Sequence, residues 1–212
     1  MDRWVWYLRL LASLFIGFDT IIKVITRGAP IDSSIVYPSI PLIVYFLVGM
    51  VATTTISPSI EGKNYWIMQS LPIEKKTIYQ GKMLFNIYLF TPVAVFSTIC
   101  LSISAGVTLP QTICYIIEII ALCCFSTVFG CICGMKHIKL EWENELEVVK
   151  QGTALVIYMF PNMFACMGLI VLTIFMSRSV NSILVSLVIT LVALILAGLG
   201  YMRVCKLADK IS

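Results

Sequence analysis

The chain has 212 residues, of which 59% are hydrophobic and only 12% charged, with a net charge of +4. Soluble domains carry about 25% charged residues, so this composition excludes an ordinary globular surface. No basic run interleaved with aromatics tracks a nucleic-acid backbone, and nucleic acid is excluded as a partner.

Taken in chain order, the charge-free stretches predict an all-α membrane protein: one transmembrane domain over 1–212 with six helices. Four predicted spans, 34–56, 83–109, 152–176 and 180–202, contain no charged residue, and 111–135 contains one, Glu118. Each is long enough to cross about 30 Å of hydrocarbon. The first segment, 4–26, holds Arg9, Asp19 and Lys23. Asp19 and Lys23 are four apart on one helical face and can neutralise each other, and Arg9 can snorkel to headgroups. The segment ends in Arg27-Gly28-Ala29-Pro30, without the small-residue cleavage site of a signal peptide.

Lysine and arginine orient the spans. With both termini cytoplasmic, eleven cations fall on the inner tips and loops, and only Arg27 and Arg178 fall outside. The outer connections are then short: 27–33, Pro110 and 177–179. The two long loops, 57–82 and 136–151, face the cytoplasm, so a soluble partner must act there.

The first of these loops contains Glu61-Gly62-Lys63, Trp66, Ser70-Leu71-Pro72-Ile73-Glu74-Lys75-Lys76 and Gly81-Lys82. It reads as two short amphipathic helices joined at Leu71-Pro72. Tyr65 and Trp66 are interface anchors. Ser70 is placed to cap a helix that opens on Pro72, with Glu74 complementing its dipole. This second helix would run towards the span at Met83. The second loop contains Lys139-Leu140-Glu141-Trp142-Glu143-Asn144-Glu145, followed by Val149-Lys150-Gln151-Gly152.

These two blocks, with the number of spans between them, resemble the type-2 permeases of ATP-binding cassette transporters, mostly bacterial exporters of the plasma membrane. The resemblance runs from about residue 57 onwards, and the chain looks like a short member of that family or the C-terminal half of a longer one. It implies a coupling helix at Ser70, Leu71, Pro72, Ile73, Glu74, Lys75 and Lys76 that docks on a cytoplasmic ATPase subunit. The flanking motif would be Glu61, Gly62, Lys63, Trp66, Gly81 and Lys82. A second contact is implied at Trp142, Glu143, Asn144, Glu145 and Lys150. It further implies a homodimer or heterodimer of permeases set in membrane lipid. No G-x-x-x-x-G-K-[ST] phosphate loop occurs, so such a permease would take its energy from the separate ATPase. No cofactor is expected.

Glu118 is the lone charge in an apolar span, a functional candidate by default. Seven residues from Gln111, it lies roughly 10 Å along the helix, nearer the outer face. It reads either as a protonated or snorkelling carboxyl, or as lining the exit end of a substrate path, paired with Arg9, Lys23 or Arg178. The eight cysteines fall in or beside apolar stretches and read as small packing residues. A metal centre is not expected, because the single histidine, His137, lacks the partners that zinc chemistry requires. The same lack argues against intramembrane metalloprotease or serine-protease chemistry. The remaining alternative is a non-transporting scaffold, sensor or immunity protein built on the same helices.

Overall fold

Long apolar runs interrupted by proline and glycine decide where the helices form and where they break. The computed structural model describes residues 37–50, 53–64, 67, 70, 72–139 and 152–211. All regular structure among them is helical, and five helical stretches are long and apolar enough to cross a membrane. The predicted span 4–26 and the Trp142 loop lie outside the described residues.

The second predicted span is not one helix. A 3-10 turn at Tyr37–Ser39 leads into α1 (Ile40–Val44), then a π-helical stretch at Tyr45–Gly49, and, after residues 51–52, α2 (Thr53–Ile60). Pro41 sits in the first turn of α1, where its missing N–H costs nothing. Gly49 closes the π stretch because the Tyr45 ring folds over it. A Cβ there would lie 2.6 Å from Tyr45 Cδ2.

α3 (Lys75–Ser104) is a single 30-residue helix. It begins at Lys75, not at Pro72. Pro72 and Ile73 form a bend, and the Glu74 carbonyl accepts the first helical bonds from Thr77 N (2.9 Å) and Ile78 N (3.4 Å). Ser70, expected to cap a helix at Pro72, instead donates its hydroxyl to the Ile67 carbonyl at 2.9 Å. At its far end α3 stops five residues before the predicted 109. Gly106 adopts φ +67°, a left-handed value that glycine reaches without strain, and Pro110 opens α4 (Leu109–Lys136). The connection between α3 and α4 is therefore the turn 105–108, with Pro110 inside the next helix.

α5 (Thr153–Met176) and α6 (Ser182–Ile211) complete the described bundle. α6 runs well past the predicted end at 202, so Arg203 and Lys206 lie on a helical extension. The centre is α4, which packs against α2, α3, α5 and α6. Apolar side chains on α3, α5 and α6 such as Tyr88, Phe164 and Leu191 remain exposed, as expected where lipid is the solvent. Buried Cys123, Cys131, Cys133 and Cys166 pack among them as small residues.

Gly134 allows a close helix contact within the chain. An added Cβ at Gly134 would sit 2.6 Å from Thr55 O and 2.8 Å from Thr54 O. Pro58, four residues on, cannot donate to Thr54 O, and this freed carbonyl faces the bare Gly134 backbone. Gly134→Ala therefore forces α2 from α4 and is expected to destabilise the bundle by about 1–3 kcal/mol. Gly198→Ala, with nothing within 4 Å of its Cβ, should leave thermal unfolding in detergent unchanged. Equal midpoints for the two variants would contradict this packing.

Candidate functional site

The loop between α2 and α3 is built upward from its base. Glu61 ends α2 and turns the chain through Gly62, whose φ of +48° is left-handed, the reason for glycine in the Glu-Gly-Lys block. Asn64 N donates to Glu61 O at 2.9 Å and closes the turn. On the far side, the Lys82 ammonium donates to Glu61 Oε1 and lies 5.6 Å from the centre of the Tyr79 ring. The ion pair is largely shielded, with Lys82 17% and Glu61 29% exposed. Two members of the predicted motif, twenty-one residues apart, thus clamp the loop at its root.

From this clamp the loop tip projects outward. Pro72, Ile73 and Glu74 are exposed, Lys75 and Lys76 half-buried. Ile73 is an apolar side chain 50% exposed at a polar end of the molecule, the kind of residue that a partner covers. Gly81, by contrast, has open space where a Cβ would be, so its place in the motif has no steric reason. Trp66 and Leu71 lie outside the described residues, as does the Lys63 side chain. Trp142, Glu143, Asn144, Glu145 and Lys150 are outside them too.

Behind the clamp, a cleft of about 600 Å³ opens between α2 and α3, lined by Thr53, Ser57, Glu61, Lys82 and their apolar neighbours. One residue of its lining, Thr53, belongs to a polar cluster between the helices. Asn86 Oδ1 accepts from Thr53 N (2.9 Å) and Thr53 Oγ1 (2.8 Å), while Asn86 Nδ2 donates to Thr127 Oγ1 at 2.7 Å. Asn86 thereby gives the Thr53 N–H a side-chain acceptor.

A second polar group satisfies carbonyls at the end of the π stretch. Ser126 Oγ donates to Gly49 O at 2.9 Å, and Tyr158 OH donates to Met50 O at 2.8 Å. Asn162 Nδ2 donates to Tyr45 OH at 2.8 Å. Backbone freed inside a membrane must find protein partners, and α3, α4 and α5 supply them here. Sequence reasoning missed these residues. The available signal was Asn86 and Asn162, asparagines inside predicted spans, because interhelical amides are the usual partners of such backbone.

Glu118 lies away from the loop, near the opposite end of α4. It is 0% exposed, with Ser186 Oγ donating to Oε2 and no partner for Oε1 among the described residues. It does not snorkel. Of the cations expected beside it, Arg178 instead lies over the Phe175 ring at 5.9 Å, and Arg9 and Lys23 lie outside the described residues. In this conformation the carboxyl is sealed within the bundle.

Comparison with known proteins adds one decisive match. A family model described as "Membrane protein of 12 TMs" matches residues 7–199. The chain belongs to this family of twelve-span membrane proteins. No curated protein and no solved structure matches the chain. The twelve-span family fits a polytopic helical protein, and its description names membrane segments without an activity.

Proposed function

We propose that this chain is the membrane-spanning permease subunit of an ATP-binding cassette transporter, working as an exporter with ATP hydrolysed by a separate cytoplasmic subunit. The observation that carries the reading is the clamped loop. Glu61 and Lys82 fix its base, Pro72 to Glu74 present an exposed tip, and that tip continues without interruption into the 30-residue helix α3. A force applied at the tip would pass along α3 into the membrane, because a helix transmits displacement along its length better than a jointed loop. The predicted orientation places this end in the cytoplasm of the plasma membrane, with the lysines.

Two permease chains form the transporter in this reading. Gly168 and Gly198 leave open space at their Cβ positions on α5 and α6, and small residues on such faces permit close approach of another helix. The cavity between two chains would hold the substrate.

The test is co-purification from the native host. An ATP-binding cassette ATPase should come with the chain, and its hydrolysis should rise in reconstituted vesicles. Replacing Leu71 and Pro72 with glutamate should remove the ATPase from the complex while the permease stays folded. If no ATPase co-purifies, or if it stays bound to that variant, the loop is not the coupling element. A stable chain with no ATPase at all would favour the non-transporting scaffold.

A further inference from the structure

A groove of about 300 Å³ runs between α4 and α6. One wall is Phe125, Phe129 and Ile132, whose spacing places them along one side of α4. The two rings stack, with centres 5.8 Å apart and planes within 4°. The other wall is Leu196 and Leu199 of α6, about half exposed. Gly200 makes the floor. A Cβ there would meet Val128 Cγ1 at 2.7 Å and Ile132 Cδ1 at 3.6 Å, so only glycine lets α6 settle this close to α4. From Phe125 to Ile132 the groove runs about 10 Å, the dimension of part of an acyl chain.

The charged end is what identifies the occupant. Arg203 lines the groove where it reaches the basic end of the bundle. Lys136, four residues beyond Ile132 and so on the same side of α4, is exposed there too. Among the described residues neither cation has a carboxylate in ion-pair distance, unlike Lys82, which pairs with Glu61. An apolar slot that ends in uncompensated cations at a membrane surface complements a molecule with an alkyl chain and an anionic head. Arginine suits a phosphate best, since its planar fork can donate two bonds to it.

We propose that this groove is a binding site for an anionic glycerophospholipid, one acyl chain lying between Phe129 and Leu199 and the phosphate on Arg203. The inference is independent of the transporter reading, because it uses neither the loop nor an ATPase. It would set the leaflet in which the chain is anchored. It also gives α6 a reason to continue as a helix beyond the predicted end of its span.

The experiment is native mass spectrometry of the full chain, released from detergent with phosphatidylglycerol or phosphatidylcholine carrying identical acyl chains. The wild type should retain phosphatidylglycerol about fivefold better, the scale of one arginine at a charged surface. Arg203→Gln should abolish that preference and leave chain binding. Leu199→Trp, at an exposed position that tolerates bulk, should reduce retention of both lipids, while Leu184→Trp on the same helix should not. Dihexanoyl phosphatidylglycerol and inorganic phosphate should bind poorly, because neither fills the groove. Unchanged preference in Arg203→Gln would overturn the proposal. So would undiminished lipid retention in Leu199→Trp, or loss of a dimer in that variant with lipid selectivity intact, which would assign the groove to a second copy.

Discussion

Glu61→Lys is expected to uncouple the loop from the membrane helices, and Glu61→Lys with Lys82→Glu to restore the coupling. The single change places two cations where one ion pair stood, beside the buried ring of Tyr79. A surface ion pair is worth up to about 1 kcal/mol, and breaking a fully buried one costs about 3–5 kcal/mol. This pair is shielded without being sealed, so a cost of about 2 kcal/mol lies between these bounds. That is enough for the loop to leave its position far more often than α3 would unfold. Limited proteolysis within 61–74 should accelerate in Glu61→Lys, and ATPase stimulation by the reconstituted chain should fall severalfold. The swapped pair should recover both. Recovery of neither would mean that the contact serves only the local turn at Gly62.

Why the loop's position was legible and its geometry was not follows from the kinds of signal involved. Four of the spans could be read from their lack of charge, because burying a lysine or glutamate in hydrocarbon is costly enough to leave a visible gap in the sequence. The start of α3 carried no such signal. A proline suggests a first turn, yet here Pro72 bends the chain before the helix, and Glu74 supplies the first acceptor. The same limit hid the break in the second span. Pro38 and Pro41 are tolerated near the start of a span, whereas the end of the π stretch at Tyr45–Gly49 is held by Ser126 and Tyr158, far away in sequence. Glu118 stood out as a lone charge, but its partner Ser186 is an ordinary serine 68 residues away. Residue type marks a buried polar group; only the fold names what satisfies it.

Asn86→Leu is expected to be the most damaging single change away from the loop, because one side chain ties Thr53 of α2 to Thr127 at the centre of the bundle. Leucine would fit the volume approximately and suit the membrane better than asparagine does. The loss falls on the partners. Thr53 N–H would lose its side-chain acceptor in an apolar setting, and Thr127 would lose its donor from α3. An unsatisfied amide in an apolar medium costs about 2–4 kcal/mol, whereas a single interhelical side-chain hydrogen bond in a membrane averages about 0.6 kcal/mol. Thr127→Val removes only such side-chain bonds and leaves Thr53 capped by Asn86. The two variants therefore separate the backbone term from the side-chain term. In equilibrium unfolding from mixed micelles, Asn86→Leu should lose about 2–3 kcal/mol and Thr127→Val about 1 kcal/mol. Asn86→Asp retains an acceptor for Thr53 and should fall between them. Should Asn86→Leu be no worse than Thr127→Val, the start of α2 does not need its cap. The break in the second span would then be free to move without Asn86, and α2 would reach the loop clamp as a hinged segment instead of a braced one.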